Sequence, residues 1–335
     1  MRDDVQQWFA SKTLTSQQFD RYELAAAKAG TSVSVVLPAR DEATTVGVIV
    51  EALRRELQEQ VPLVDEIVVV DSGSQDDTIA VSQAAGASVV RQSDVLGGLG
   101  DRPGKGEALW KSLHATTGDV VAFIDADLRE FEPQFAVGLL GPLLTEPQTH
   151  FVKAFYDRPL HSGLTVLPAG GGRVTELVAR PLLNLHWPLL AGVVQPLAGE
   201  YAARRSLLER LPFVSGYGVD IALLIDAVEQ IGLRGLVQVD LGSRQHRNSS
   251  DAALGRMGAQ VYLSVLSRLQ RHGRALMTVE PSMTLTQFVR DQGSFVPEVT
   301  DVGVSERPPM LRPGEPVVRP HLWRPIEAIA PRPSP

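Results

Sequence analysis

The sequence predicts an α/β protein built on a mixed, mostly parallel sheet flanked by helices. Three observations carry that expectation. Continuous Val/Ile runs, SVSVVLP (32–38), EIVVVD (66–71) and VVAFID (120–125), read as strands covered on both faces. They alternate with segments of helical period, as a doubly wound sheet requires. Three of the strands also end in polar signatures, at the edge where open α/β sheets bind ligands.

The elements follow in order. Residues 1–30 form a polar lead-in with a helix expected over 16–29, closed by Gly30. A helix over 44–60 places Val46, Ile49, Val50, Leu53 and Leu57 on one face. After the 66–71 strand comes a helix over 77–86 with Gly86 at its C-terminal end, then a strand over 87–91. A Gly-rich loop leads into a helix over 105–117. Beyond the 120–125 strand, a helix led by Pro133 reaches about residue 144, and a strand spans 150–156. The second half reads as more helical, with helices over 173–189, 205–211, 219–231 and 252–270 and a late strand over 236–242. From about Glu306 the chain is rich in Pro and Arg, and an extended or disordered tail is expected.

Composition narrows the function classes. The 335 residues are 44% hydrophobic and 21% charged, enough apolar material for one large domain or two small ones. The net charge of −7 and the lack of a dense basic stripe exclude a nucleic-acid partner. With no cysteine, disulfides and thiolate chemistry are excluded, and any metal must be held by oxygen and imidazole. No apolar leader and no stretch of roughly 20 apolar residues is present, so a soluble cytoplasmic protein with no membrane partner is expected.

The three strand-end signatures are Pro38-Ala39-Arg40-Asp41-Glu42, Asp71-Ser72-Gly73-Ser74 and Asp125-Ala126-Asp127. One terminal carboxylate alone reads as a turn former or helix cap. Three at one sheet edge read as a site. Asp125 and Asp127, spaced i, i+2, can face a hard divalent cation and leave room for diphosphate oxygens, which suits Mg²⁺ or Mn²⁺. Such a cation neutralises a departing nucleoside diphosphate. Lys105, in Arg102-Pro103-Gly104-Lys105-Gly106, opens a helix, an electrostatically poor place for a lysine unless it serves an anion. In Gly170-Gly171-Gly172-Arg173-Val174-Thr175, glycines permit close backbone approach, while Arg173 and Thr175 can hold a carboxylate or phosphate. His246, just past the late strand in Arg244-Gln245-His246-Arg247-Asn248, can complete a metal shell begun at Asp127. Tyr217-Gly218-Val219-Asp220 starts a helix, which Asp220 could cap.

The order VVLPARDE, VVVDSGSQDDT, RPGKGEAL, FIDADL resembles the nucleotide-binding, Rossmann-like half of GT-A fold glycosyltransferases. The segments GGGRVTELVARPLL, QPLAGEYAARR, LPFVSGYGVDIALLID and VDLGSRQHRN are similar to those of glucosyl-3-phosphoglycerate synthases, over roughly residues 32–269. The resemblance implies a retaining enzyme that joins glucose from UDP-glucose to 3-phosphoglycerate, and a homodimer. It implies a nucleotide-sugar half over 31–160, a helical acceptor-binding half over 161–275 and a C-terminal extension over 276–335. Pro38, Ala39, Arg40, Asp41 and Glu42 would line the uridine, and Ser72 would sit against the uracil. Asp125 and Ala126 would contact the nucleotide sugar, Arg244 or Arg247 its phosphates, with Asp127 and His246 as metal ligands. Gly172, Arg173, Val174, Thr175 and Asn248 would hold the acceptor. Tyr217, Gly218, Val219 and Asp220 would face the donor sugar. Lys105 and Asp220 are the catalytic candidates, with Asp220 expected to bind glucose hydroxyls rather than act as a nucleophile.

Two departures stand out. The family usually shows Leu-Asn where this chain has Arg40-Asp41, and Glu where it has Asp220. The first keeps open a GDP-mannose or GDP-glucose donor. A polyprenyl-phosphate sugar transferase would want a membrane-binding element. A nucleotidyltransferase would want a Gly-rich loop after the first strand, and a non-catalytic sugar-binding module would not need both Asp127 and His246.

Overall fold

The computed structural model describes residues 1–157, 160–162, 165–167, 172–244 and 250–311. Besides a short separate antiparallel pair, Leu160–Ser162 with Thr165–Leu167, its strands are β1 (Thr13–Thr15), β2 (Val33–Ala39), β3 (Glu66–Asp71), β4 (Ser88–Arg91), β5 (Val120–Phe123), β6 (Phe151–Asp157), β7 (Tyr201–Arg204), β8 (Phe213–Val214), β9 (Leu236–Ser243), β10 (Thr284–Asp291), β11 (Ser294–Asp301) and β12 (Glu306–Arg307). Its helices are α1 (Asp3–Lys12), α2 (Arg21–Ala27), α3 (Val46–Arg54), α4 (Thr78–Ala84), α5 (Lys105–Ala115), α6 (Gln134–Thr145), α7 (Arg180–His186), α8 (Arg205–Leu208), α9 (Val219–Ile231) and α10 (Asp251–Arg271).

Eight strands make one sheet in the order β1-β9-β6-β7-β5-β2-β3-β4. Every pairing is parallel except those of β7, which runs antiparallel to both β5 and β6. The continuous apolar runs divide by pleat. Val33, Val35 and Leu37 enter one core with α3 and α6, while Val36 enters the other with α5, α9 and α10. Burial on both faces explains why these strands carry no polar alternation.

Several expected elements differ. The lead-in is not one helix over 16–29: α1 comes first, then edge strand β1, a 3-10 turn at Ser16–Gln18, and the short α2. Side-chain anchors explain the breaks. The Trp8 indole donates to the Leu236 carbonyl at 2.8 Å, and Asp20 caps α2 by accepting from the Tyr22 and Glu23 amides. The segment expected as a helix over 173–189 resolves into a wide turn at Thr175–Ala179, α7 and a 3-10 turn at Pro188–Leu190. Strand β7 and the β10–β11 hairpin were not expected. Nor does the chain become free at Glu306, because β12 pairs with β8.

The start of α5 is fixed by close backbone approach. A Cβ on Gly106 would stand 1.8 Å from the Val214 carbonyl oxygen in β8. Alanine inside a helix gains about 1 kcal/mol over glycine, so propensity and packing oppose each other here. The clash is with backbone and cannot be relieved by a rotamer. Gly106→Ala is therefore expected to destabilise the protein, with a lower urea midpoint; a raised midpoint would show that α5 can slide off β8.

Candidate functional site

The carboxyl ends of β2, β3 and β5 open onto a single cavity of about 970 Å³. Strand register sets the first two side by side, Ala39 opposite Asp71. Asp71 is buried and its carboxylate accepts from the Gly73 and Ser74 amides, so it shapes its own turn. Asp41 occupies the left-handed region (φ 57°). Its amide donates to Ser74 Oγ at 2.9 Å, and its Oδ1 accepts from the Gln75 amide at 2.7 Å. Asp41 thus staples two loops and does not line the cavity, whereas Pro38, Ala39, Arg40 and Glu42 do. Ser72 Oγ donates to Gln92 Oε1 at 2.9 Å, beside Asp101 and Arg102 on the same wall.

Lys105 emerges from the first position of α5 and reaches the acidic triplet. Its Nζ donates to Asp125 Oδ1 at 2.6 Å and to the Gly199 carbonyl at 3.2 Å, and lies 3.8 Å from Asp220 Oδ1. Burial pulls the ammonium's pKa down, but the Asp125 and Asp220 charges more than offset it and hold it above the usual lysine range. Asp220 Oδ1 is buried without a hydrogen-bond partner among the described residues. A Cβ on Gly199 would stand 2.2 Å from Asp125 Oδ2 and 2.7 Å from Lys105 Nζ, so only glycine fits beneath this pair.

Arg244 is tied into the acidic cluster at the strand ends. It lines the cavity but is 5% exposed and engaged by protein. Its guanidinium pairs with Glu200 and donates to Tyr156 Oη at 2.8 Å, Asp127 Oδ1 at 3.0 Å and Asp125 Oδ2 at 3.3 Å. Burial would lower its pKa, yet Glu200, Tyr156 and the two aspartates hold it well above the ordinary value. Asp125 is opposed by burial but held well below the usual carboxylate range by Lys105 and Arg244. Glu200 is pushed up, mainly by burial.

Gly172, Arg173, Val174 and Thr175 also line the cavity. Gly172 has φ 82°, and the chain turns helical at Arg173, whose Nη1 donates to Asp251 Oδ1 at 2.6 Å. Tyr217 lines the cavity beside Asp220, but Gly218 and Val219 are buried and do not. A Cβ on Gly218 would stand 1.9 Å from Ser264 Oγ, and Val219 packs into the core, so the backbone turn rather than these side chains sets the wall. His246, Arg247 and Asn248 lie outside the described residues.

Among the described residues, no group of three or more His, Asp or Glu could hold a cation alone. Asp127, with a side chain 41% exposed, presents a hard carboxylate oxygen to the cavity. A carboxylate of this kind suits Mg²⁺ or Mn²⁺, which take few protein ligands and complete their shell with substrate phosphates and water. The residues present fit that chemistry.

Sequence reasoning passed over Gly199, which lines the cavity, and Glu200, Tyr201 and Lys153, which are buried behind that floor. Lys153 is 1% exposed; its Nζ donates to the Ala198 carbonyl at 2.7 Å and sits 4.5 Å over the Tyr201 ring. The signal available was the AGEY run, a carboxylate and a phenol flanked by small residues.

The fold and site together define a glycosyltransferase of the GT-A type. Residues 34–168 match the model for "Glycosyl transferase family 2". The chain is 47% identical over 308 residues to a glucosyl-3-phosphoglycerate synthase of Mycolicibacterium smegmatis, spanning 91% of this chain and 98% of the relative. A solved mannosyl-3-phosphoglycerate synthase from Rubrobacter xylanophilus superposes with a TM-score of 0.84 at 41% identity, covering 91% of this chain and 98% of its own. A glucosyl-3-phosphoglycerate synthase from Mycobacterium tuberculosis, solved with Mn²⁺, UDP-glucose and phosphoglyceric acid, superposes at 0.77 with 46% identity, covering 87% and 94%. The chain belongs to the glucosyl-3-phosphoglycerate synthase family.

Lys153 supplies a pH test of the floor. Burial, only partly offset by Asp220, pushes its ammonium down to about 8 from 10.5. Between those values the unfolded chain binds more protons than the folded one, so stability rises with pH across that window. The wild type should gain stability relative to Lys153→Met from pH 8 to 10.5 in urea titrations. A difference that stays flat would show that the amine is solvated.

Proposed function

We propose that the protein moves glucose from UDP-glucose to the 2-hydroxyl of 3-phosphoglycerate with retention at the anomeric carbon, releasing UDP. The observation that carries this reading is the convergence of Lys105, Asp125, Asp127 and Asp220 in one cavity that Gly172–Thr175 also line. That arrangement matches a donor with a diphosphate and an acceptor with its own anions. The M. tuberculosis relative, solved with UDP-glucose and phosphoglyceric acid, supports the assignment of both.

Asp127, joined by His246, would hold the Mg²⁺ or Mn²⁺, which supplies neutralising charge to the departing diphosphate. Lys105, kept cationic by its two aspartates, adds a fixed positive charge at the same place. Pro38, Ala39, Arg40, Glu42 and Ser72 receive the nucleoside. Asp220 orients the sugar hydroxyls. Arg173, Thr175 and the backbone amides at the 172–175 turn hold the acceptor's anions, with Asn248 beside them. The acceptor oxygen bonds to the anomeric carbon on the face from which the phosphate leaves, and the departing phosphate oxygen takes the hydroxyl proton. Asp220 is shorter than glutamate by one methylene and sits under Lys105, which fits orientation rather than nucleophilic attack. We extend the proposal to a cytoplasmic homodimer, as the family resemblance implies; sedimentation of the purified protein tests the dimer.

A second reading, a GDP-hexose donor with mannosyl transfer, has one observation behind it, the similarity to the R. xylanophilus mannosyl-3-phosphoglycerate synthase. Turnover of UDP-glucose and GDP-mannose with 3-phosphoglycerate, read by product mass and anomeric configuration, separates the two. Turnover with GDP-mannose alone would replace the first reading by the second. Lys105→Met should lower kcat about 10²-fold, the usual loss when one preorganised charge is removed from a leaving group. Asp220→Asn should slow turnover but still give the retained anomer; a trapped sugar–enzyme adduct in mass spectra would make Asp220 or a neighbour a nucleophile.

A further inference from the structure

The C-terminal extension returns across the molecule after the β10–β11 hairpin and stitches two cavity walls together. Ser305 accepts from the Ser215 amide through its carbonyl at 2.8 Å, and its own amide donates to Ser215 Oγ at 3.0 Å. Two residues on, Arg307 is 6% exposed and buried against the start of α5 and the loop before it. Its guanidinium forks onto Glu107 at 2.7 and 2.8 Å, and it donates to the Gly100 carbonyl at 3.0 Å and the Leu99 carbonyl at 3.2 Å. The Trp110 ring lies 5.2 Å beneath it, and the Trp110 indole donates to the Pro308 carbonyl. Fully buried Lys111 shares the Gly100 carbonyl and adds bonds to the Gln92 carbonyl and Asp101 Oδ1. Gln92 in turn donates to Asp101 and the Arg102 carbonyl and accepts from Ser72. An unbroken polar chain thus runs from Arg307 to the cavity wall.

We propose that Arg307 is a positioning residue for donor binding: by holding the Leu99 and Gly100 carbonyls it fixes the 99–105 loop in the shape that receives the nucleoside diphosphate. Arg307 does not line the cavity, so it acts through that loop. The Gly-rich loop has little side-chain packing of its own; Gly97, Gly98 and Gly100 have nothing within 4 Å of a virtual Cβ. Without the guanidinium, the binding-competent loop becomes a fraction of the population, and apparent affinity falls by that fraction. This inference rests on the proposed function only for the identity of the ligand.

The test uses the full chain with Arg307→Ala, Arg307→Lys and, as a control, Glu306→Gln. Glu306 fastens the same strand to Arg268 and Arg271 without touching the loop. Arg307→Ala should raise the UDP Kd, measured calorimetrically with Mn²⁺, and the donor KM about tenfold, with the acceptor KM within about twofold. Arg307→Lys keeps the Glu107 pair but not the fork, and should fall between. Glu306→Gln should lower Tm and leave both KM values unchanged. Wild-type UDP affinity in Arg307→Lys would overturn the proposal, and that variant decides alone if Arg307→Ala does not fold. If the wild type itself binds no UDP, the functional reading fails instead. Hydrogen exchange then decides the positioning role: faster exchange of the 97–104 amides in Arg307→Lys supports it, and unchanged exchange overturns it.

Discussion

The site depends on one guanidinium. Arg244 follows β9, yet it binds Tyr156 from β6, Glu200 at the start of β7, and Asp125 and Asp127 beyond β5. Its amide also donates to the Asp157 carbonyl at the end of β6. Four strand ends therefore converge on one planar fork, which lysine could not span. Taking such charges out of water is costly unless each is paired. With Arg244 and Lys105 in place, Asp125 stays ionised while Glu200, deeper and only partly compensated, is pushed toward its neutral form. The electrostatic field of the cavity is set before any ligand arrives, the condition under which fixed charges act most strongly on a developing anion.

The reversed strand makes this possible. Parallel strands deliver only their carboxyl ends to a ligand edge. Because β7 runs antiparallel between β5 and β6, it delivers its amino end to that same edge. Gly199 and Glu200 thereby lie under Asp125 and Lys105, and Tyr201 stacks on Phe151 and over Lys153 as the first floor layer. Gly199 supplies the thin floor, since any side chain there would collide with the ion pair above.

The central strands were legible because burial on both faces writes itself as unbroken Val and Ile. Strand β7 was not, because YAAR holds no such run; its alanines fit only because neighbouring helices press closely. The three-residue β1 is set by tertiary pairing with β9 and leaves no local mark. The β10–β11 hairpin did leave one, a two-residue Gln292-Gly293 turn, with Asp291 opposite Ser294. Of the candidate site, the three strand-end signatures were readable as positions on one edge, and Lys105 and the 172–175 turn as helix starts suited to an anion. The burial of Arg244 was not, because an arginine among polar neighbours carries no trace of the acids it will meet from distant strands. The role of Arg307 was hidden in a segment whose proline and arginine content reads as disorder.

The Arg40-Asp41 departure can be weighed on the same physical terms. Position 41 needs a residue that tolerates a left-handed backbone and offers an acceptor to the Gln75 amide. Aspartate and asparagine both meet those demands, so this exchange alters neither loop. Arg40 keeps a side chain 69% exposed at the cavity rim, where water screens its charge. Deeper in the cavity, Ser72 and Gln92 lock together beside Arg102, whose buried Nη1 has no partner among the described residues. Under the proposed function, that arginine donor would meet the nucleotide only while the 99–105 loop keeps its shape. Donor binding and the anchoring of the C-terminal strand are thus the same structural problem, seen from the two sides of one loop.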